Sequence, residues 1–450
     1  MRWKQIRIGD FLKRSKIPID IEDSRLYKRV TIRTKHQGVS VRDTENGKKI
    51  GTKKQFSLRA GQFVLSKIDA RYGAFGIAPN EVEGAIITGN FWAYDVDKSQ
   101  MNIDWFNQYT NSTIFYDLCE RASSGITHRK YLDERFFLDH ELLIPDIDEQ
   151  EVHVKLIEEK KASIGSLDIE HSTQLDFLQK LRQQILQDGI QGKLVSQDSN
   201  DEPACKLLER IKAEKEKLIR EKKIKKDKPL PEIKPEEIPY EIPERWEWCR
   251  LGDICGFITK GTTPSLEKIK PNEKIPFLKV YNIAGQKINF EYKPQFIDED
   301  THNNILTRSI VYPNDVLMNI VGPPLGKVAI VPNSFLQWNI NQALVRFRPL
   351  VIEISSFLYF YLCEGSEIKK LVPLGVVGQD NLSLEQCRNL IFPLPPLSEQ
   401  HRIVIQIDQL MKLCDEFEHS ILQSQKYTEE LLQVALKEAL EPKKQINSSI

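Results

Sequence analysis

No run of eighteen consecutive apolar residues occurs in this 450-residue chain, so no membrane-spanning helix and no membrane partner are expected. Met1-Arg2-Trp3-Lys4 lacks the apolar segment of a secretory signal. The seven cysteines (119, 205, 249, 255, 363, 387 and 414) are odd in number and scattered, with no Cys-x-x-Cys pair. This argues against a disulfide framework or a zinc site and for reduced thiols, so a cytoplasmic location is expected. Net charge is lacking too: 64 Lys and Arg balance 64 Asp and Glu, which by itself discourages a nucleic-acid partner.

Catalytic motifs are missing or fail on context. There is no Gly-x-Ser-x-Gly, no His-Glu-x-x-His and no Asn- or Asp-Pro-Pro-aromatic tetrapeptide of the kind used by amino-methyltransferases. Gly322-Pro323-Pro324-Leu325-Gly326-Lys327-Val328 has the flavour of a phosphate loop. It has one spacer residue too few, Val where Ser or Thr would hold Mg²⁺, and prolines that each remove a backbone donor. Asp146 with Glu158 and Lys160 matches the loose Asp…Glu-x-Lys form of metal-dependent nucleases, which would make the chain a Mg-dependent nuclease. Two residues apart on a helix, however, Glu158 and Lys160 point in different directions. The chain is therefore expected to be no enzyme, with no catalytic residue, metal or cofactor of its own.

What the chain does have is a repeat of itself. Arg2-Trp3-Lys4 leading to Ile8-Gly9-Asp10 returns as Arg245-Trp246-Glu247 leading to Leu251-Gly252-Asp253, an offset of 243. Gly73-Ala74-Phe75-Gly76-Ile77-Ala78-Pro79 returns as Gly326-Lys327-Val328-Ala329-Ile330-Val331-Pro332, an offset of 253. Leu143-Ile144-Pro145-Asp146-Ile147-Asp148-Glu149-Gln150 returns as Leu394-Pro395-Pro396-Leu397-Ser398-Glu399-Gln400, an offset of 250. A period this long is a duplicated domain, not a solenoid unit. Two similar but divergent domains suit a target that has two parts.

The neutral total hides an uneven distribution. Residues 1–71 carry 19 Lys and Arg against 7 Asp and Glu, whereas residues 146–188 carry 5 against 10. Counterion release from DNA needs a basic face, not a basic total, so a DNA partner stays open beside a plain solvated surface. Short β-prone runs (Val30-Thr31-Ile32, Phe63-Val64-Leu65, Ala85 to Thr88) and a helix from Trp105 to Cys119 make residues 1–145 a mixed domain. Residues 245–396 repeat the texture, with Pro276 to Val280, Ile310 to Tyr312, Val328 to Val331, Ala343 to Val345 and a helix near Ser355 to Cys363. The expected fold class is α+β: two similar mixed domains separated by two long antiparallel coiled-coil helices, 146–192 and 397–440. In the second helix Ile403, Ile407, Leu410, Cys414, Phe417, Ile421, Ser424, Thr428, Leu431 and Ala435 follow a four-three alternation. The first has a looser seam (Ile157, Ile164, Leu167, Leu178, Leu181, Ile185), on which His171 is expected as a core histidine. Such helices pair with each other or pack on their own domains. Residues 193–244 form a charged linker: Lys206 to Lys228 holds eleven basic and five acidic residues, then Pro229, Pro231, Pro235, Pro239 and Pro243 favour an extended strap.

These landmarks resemble the specificity subunit of Type I restriction-modification enzymes along nearly the whole chain. Pro393-Leu394-Pro395-Pro396-Leu397-Ser398-Glu399-Gln400 at the start of a long helix resembles that family's most recurrent signature, with Ile144 to Gln150 as a weaker copy. Leu181 to Gln187 with Gly192-Lys193-Leu194, and Pro243 to Trp248 with Leu251-Gly252-Asp253, are similar to the end of its central helix and the start of its second recognition domain. Lys260-Gly261-Thr262-Thr263-Pro264 and Gly375 to Leu382 match patterns inside such domains. Ser124 to Arg129 in the first copy lacks the Gln-x-Asn element. The resemblance implies two target-recognition domains, each reading half of a bipartite, asymmetric site on double-stranded DNA. It implies helices that set the gap, roughly one helical turn or slightly more between half-site centres. It implies two methylation subunits that bind S-adenosylmethionine, and restriction subunits that use ATP and Mg²⁺, as the partners that methylate adenine or cleave. A protein-binding coiled-coil scaffold is the other reading of the helices.

Phosphate contacts want Lys and Arg, and base edges want Arg, Asn or Gln. In the first domain the candidates are Arg33, Lys35, His36, Arg42, Lys53, Lys54, Lys67, Arg71, His128, Arg129 and Lys130. In the second they are Lys260, Lys279, Tyr281, Asn282, Asn319, Lys327, Asn339, Asn341, Gln342, Gln379 and Asn381. Residues 245–395 net only +2, so fewer phosphate contacts are expected there.

Overall fold

A computed structural model describes residues 3–126, 129–226, 228–271, 273–371 and 381–440. The chain divides into two compact units, Met1–Thr173 with Ile421–Ile450, and Gln174–Ser420.

In the first unit the β-prone runs become a four-stranded antiparallel sheet and a five-stranded mixed one. The four-stranded sheet has the order Leu12–Ser15, Phe91–Val96, Phe63–Ser66, Phe75–Ile77. The five-stranded sheet has the order Pro18–Asp20, Lys54–Ser57, Ile86–Ile87, Leu26–Ile32, Val39–Asn46. The expected helix is two, Ile103–Thr110 and Thr113–Arg121, because Ser112 between them caps the second by accepting from the Phe115 N–H at 3.4 Å. An aromatic core fills the space between these helices and the four-stranded sheet. Phe63 meets Phe106 edge-on at 5.0 Å and Phe75 meets Phe115 at 5.0 Å, all fully buried. Trp3–Arg7 pairs antiparallel with Glu141–Pro145, so the domain is closed where it begins and where it ends.

The second unit has the same plan. Cys255–Lys260, Leu344–Pro349, Val316–Asn319 and Val328–Ile330 make the four-stranded sheet, and Glu247–Arg250 closes on Ile391–Leu394. Its late helix is Ile354–Glu364, whose Phe357 packs on Trp246 and Phe392.

The duplication is visible bond by bond. Ser66 N donates to Ala74 O at 2.9 Å, and Asn319 N to Lys327 O at 3.1 Å. Lys67 N donates to Asn90 O and Ile320 N to Ala343 O, both at 2.9 Å. Leu132 N reaches Lys67 O at 2.7 Å, and Leu382 N reaches Ile320 O at 2.9 Å. Asp10 and Asp253 each accept from the N–H of the residue three back, Arg7 and Arg250, at 3.0 Å.

The repeated Glu-Gln also gains a reason. Gln150 and Gln400, in the first turns of the helices Ile147–Ile190 and Leu397–Leu440, are almost fully buried. Each donates its side-chain Nε2 to the carbonyl of the proline five residues earlier, Pro145 or Pro395, at 2.9 Å. The glutamine thereby satisfies a carbonyl that the end of the sheet leaves without a partner, and it fixes the angle at which the helix departs.

In each unit a stretch of the first long helix runs antiparallel to a stretch of the second. In the first unit His171 Nε2 meets Ser424 Oγ at 2.9 Å, while Val154 and Ile157 share a core with Leu440. In the second unit Arg182 holds Asp415 at 2.7 Å and Glu418 at 2.9 Å. Gly189 approaches Ile407 so closely that an added Cβ would lie 2.7 Å from its Cδ1. The seam is narrower than the four-three alternation. Burial recurs every seventh residue, at Ile157, Ile164, His171, Leu178 and Ile185, and at Ile407, Cys414, Ile421 and Thr428. The intervening Phe417 and Leu431 are 66% and 57% exposed, because two helices alone bury one narrow stripe. Ile403, Ile407 and Cys414 also join the core of the second domain, so pairing and domain packing both occur.

The linker docks on the second domain by a thin apolar face. Its basic helix, Ala204–Arg220, buries Ala204, Leu207, Leu208 and Ile211 in the second core. Lys215 caps the short helix Leu251–Ile254 through the Gly252 and Cys255 carbonyls. The proline strap lies over Arg250, whose guanidinium is buried and donates to Pro231 O at 2.7 Å, Glu232 O at 3.1 Å and Glu237 at 3.0 Å.

Replacing either buried glutamine isolates a proline carbonyl and leaves a void. Gln400→Ala should lower the unfolding free energy by about 2 kcal/mol in urea titration, and Gln400→Glu should not restore it.

Candidate nucleic-acid interface

In the first unit, hairpins and turns bring several of the expected cations together. The tip between Leu26–Ile32 and Val39–Asn46 carries exposed Arg33 and Lys35. It is tied to the turn Ala70–Tyr72 by Lys35 N to Tyr72 O at 2.7 Å and His36 N to Gly73 O at 3.0 Å. Lys35 and His36 take left-handed φ values of 56° and 53° to make that turn. Arg71 lies on the Tyr72 ring at 4.6 Å and Lys67 on the Tyr131 ring at 5.4 Å. Lys130 pairs with Glu120 at 2.7 Å on the hairpin Ser123–Ile126 and Arg129–Leu132. Arg33, Lys35, Lys67, Arg71 and Lys130 thus stand on adjoining loops. Exposed Tyr72 and Tyr131 among them were not singled out from sequence, although each directly follows a basic residue.

Other candidates are placed differently. Arg42 bonds Asp43 at 3.1 Å and lines a cleft of about 350 Å³ with Arg29, Thr52, Gln55, Thr88 and Asn90. Lys53 is held by Asp23 at 2.6 Å and by Gly47 O at 2.7 Å, and Lys54 is exposed on the strand Lys54–Ser57. His128 lies outside the described residues, as does the side chain of Arg129. His36 is a correction. Its ring is half-buried against Phe75, and its Nε2 meets Thr110 Oγ1 at 2.8 Å, so it braces the hairpin from within.

Three asparagines of the second unit are corrections for the same reason: a buried amide with its ends bonded has nothing left for a base edge. Asn282, 1% exposed, donates to Tyr292 O at 2.9 Å and accepts from Lys279 N at 3.0 Å. Asn319, also 1% exposed, donates to Pro324 O at 2.9 Å and accepts from Lys327 N at 2.8 Å. Asn339 is fully buried against the ring of His302. Sequence favours asparagine as a base reader, but in turns the same side chain more readily satisfies nearby backbone.

The remaining candidates form two groups. Exposed Lys260 and Gln342 adjoin half-buried Asn341, because Thr262 N bonds Ile340 O at 3.2 Å and Gly261 has no room for a Cβ against the Ile340 and Asn341 carbonyls. Lys327 and exposed Asn381 flank the segment 320–326, to which Asn381 is bridged through Val321. Tyr281 is half-buried and donates to Lys293 O at 3.4 Å, and Lys279 sits 6.0 Å from the Phe277 ring. Gln379 lies outside the described residues.

Asp146, Glu158 and Lys160 do not converge. Asp146 precedes the first long helix, and Glu158 lies twelve residues further on, about 18 Å along its axis. Among the described residues no group of three or more His, Cys, Asp or Glu is placed to hold a metal ion. No helix among them is long and apolar enough to cross a membrane.

Residues 243–425 match the family model described as the Type I restriction modification DNA specificity domain. Over 266 residues the chain is 37% identical to the Type I restriction enzyme EcoAI specificity subunit of Escherichia coli. Over 270 residues it is 35% identical to the EcoEI specificity subunit of the same organism. Each alignment covers 58% of this chain and 44% of the relative, so the chain spans less than half the length of these curated relatives. A solved structure described as the structural basis of complex assembly and conformational transition of the type I R-M system has the same fold. It matches with a TM-score of 0.62 at 16% identity, over 98% of this chain and 97% of that one.

The His36 brace in the first unit has a titration signature. Burial, with the Lys161 ammonium adding to it, pushes the His36 pKa down from 6.5 to about 4. The neutral ring therefore contributes fully above pH 6.5, and its contribution fades as pH falls toward 4, by up to about 3 kcal/mol in total. His36→Gln should flatten the fall in melting temperature across that window; an unchanged pH profile would show that the ring is not the titrating group.

Proposed function

We propose that this chain is the DNA-recognition subunit of a Type I restriction-modification complex. It reads a bipartite, asymmetric duplex site, one half with each unit, and directs adenine methylation or cleavage by partner subunits. The observation that carries this reading is the pairing of an invariant backbone scaffold with unlike surfaces. Equivalent hydrogen bonds recur in both units, while one unit presents adjoining cations and the other a mixture of lysines, amides and apolar side chains. Two readers of one duplex need a shared way of approaching it and separate ways of choosing bases. The low net charge of residues 245–395 supports fewer phosphate contacts for the second half-site.

On this reading the long helices fix the gap between half-sites, and chemistry resides in partners: methylation subunits with S-adenosylmethionine, and restriction subunits with ATP and Mg²⁺. The apolar side chains left outside the narrow seam support such partners. Phe177 and Leu181 are 62% and 49% exposed, and Leu413 and Phe417 are 51% and 66% exposed, each pair one turn apart on its helix. A bare stripe of this kind calls for a covering helix.

Selection of binding sites from randomised duplexes by the purified chain should return a split motif. Binding should weaken with salt on a log–log slope of several. An unsplit motif, or cleavage of plasmid by the chain alone with Mg²⁺, would overturn the reading. Phe417→Asp should weaken co-purification with the methylation subunits about thirtyfold, for the loss of about 2 kcal/mol of apolar burial. The selected DNA motif should stay the same.

A further inference from the structure

The duplication singles out one loop. In both units the third and fourth strands of the four-stranded sheet, counted from Leu12–Ser15 or Cys255–Lys260, are joined by an eight-residue segment: 67–74 and 320–327. The same three backbone hydrogen bonds frame it in both, at Ser66 or Asn319, at Lys67 or Ile320, and at Leu132 or Leu382. In both segments the last residue but one is a glycine in the left-handed region, Gly73 at φ 80° and Gly326 at φ 78°.

Both loops are also pinned from below by a buried polar side chain at the last residue of the preceding strand. Ser66, 2% exposed, accepts from Asp69 N at 3.2 Å and donates to Asp69 Oδ2 at 3.3 Å. Asn319 gathers the carbonyls of Val321, Gly322 and Pro324 at 3.4, 3.4 and 2.9 Å, and accepts from Lys327 N. Turning these carbonyls inward leaves the loop's outer surface to its side chains.

The contents, by contrast, have diverged completely. The first loop, Lys67-Ile68-Asp69-Ala70-Arg71-Tyr72-Gly73, is charged and aromatic, with Tyr72 53% exposed. The second, Ile320-Val321-Gly322-Pro323-Pro324-Leu325-Gly326, carries no charge before Lys327 at its very end, and Val321, Pro323 and Pro324 are exposed. A loop whose frame is kept and whose surface is rewritten is shaped by what it touches, not by the fold.

We propose that this loop determines base preference in each half-site, with Ser66 and Asn319 as positioning residues that aim it. The inference rests on the DNA-recognition reading above and adds the element that chooses the bases. The first loop offers a guanidinium for a guanine edge and an aromatic face. The second offers a rigid apolar ridge, suited to thymine methyl groups in the major groove.

The test is selection from randomised duplexes by the full chain and by three variants, Arg71→Ala, Val321→Ser and Asn319→Ala, with each variant's melting temperature measured alongside. Arg71→Ala should lose preference about tenfold at one or more positions of one half-site and leave the other unchanged. Val321→Ser, at an exposed position of the second loop, and Asn319→Ala should do the same in the opposite half. Should Asn319→Ala fail to fold, the Val321→Ser motif decides the second loop. Motifs unchanged in both halves for Arg71→Ala and Val321→Ser would overturn the loop assignment while leaving DNA recognition intact. A wild-type chain that selects no motif would overturn both. An Asn319→Ala variant that folds and keeps the wild-type motif would remove its positioning role.

Discussion

A buried amide joins each long helix to the sheet that precedes it, and both units depend on that joint. Gln150 and Gln400 take up a proline carbonyl at the point where strand hydrogen bonding stops and helical bonding has not begun. Without the amide, the closing strand and the helix would share a flexible corner. With it, the strand pair that seals the domain is tied to the first helical turn by a hydrogen bond in a buried setting. The tie is local, and it is built twice from the same parts.

From that joint the rest of each unit follows in order. The closing strands, Trp3–Arg7 with Glu141–Pro145 and Glu247–Arg250 with Ile391–Leu394, bring chain segments about 140 residues apart into register. In each four-stranded sheet the connection between the third and fourth strands is anchored by the same backbone bonds, which do not depend on side-chain identity. Function can change at the loop tips because stability is held elsewhere. The cores of Phe63, Phe75, Phe106 and Phe115 in one unit, and of Trp246, Phe357 and Phe392 in the other, lie behind the loops.

Much of this was legible in the sequence, and the reasons differ by feature. The duplication could be read because its landmarks are residues that backbone geometry demands: a capping aspartate, a left-handed glycine and a buried glutamine. Both long helices could be read from their heptads, but the width of the seam could not. A four-three alternation of apolar residues does not say which positions are covered within the chain: Ile403 and Phe417 share one stripe, yet the first is buried and the second exposed. The site was less legible. Asn282, Asn319 and Asn339 have the chemistry of base readers and the burial of turn-makers, and only three-dimensional placement separates the two. His36 was misread for a similar reason: its position beside basic residues suggested a surface, while its ring packs inward on Phe75. Tyr72 and Tyr131 were overlooked because exposed aromatics carry no sequence mark that distinguishes them from core ones.

The proline strap over Arg250 carries a different lesson. The arginine grips it through two main-chain oxygens, at Pro231 and Glu232, and through both oxygens of the Glu237 carboxylate. Main-chain oxygens are the same whatever residue bears them. Of the strap residues that Arg250 holds, only Glu237 is thus tied by its side chain, while Pro231 and Glu232 lend nothing but backbone.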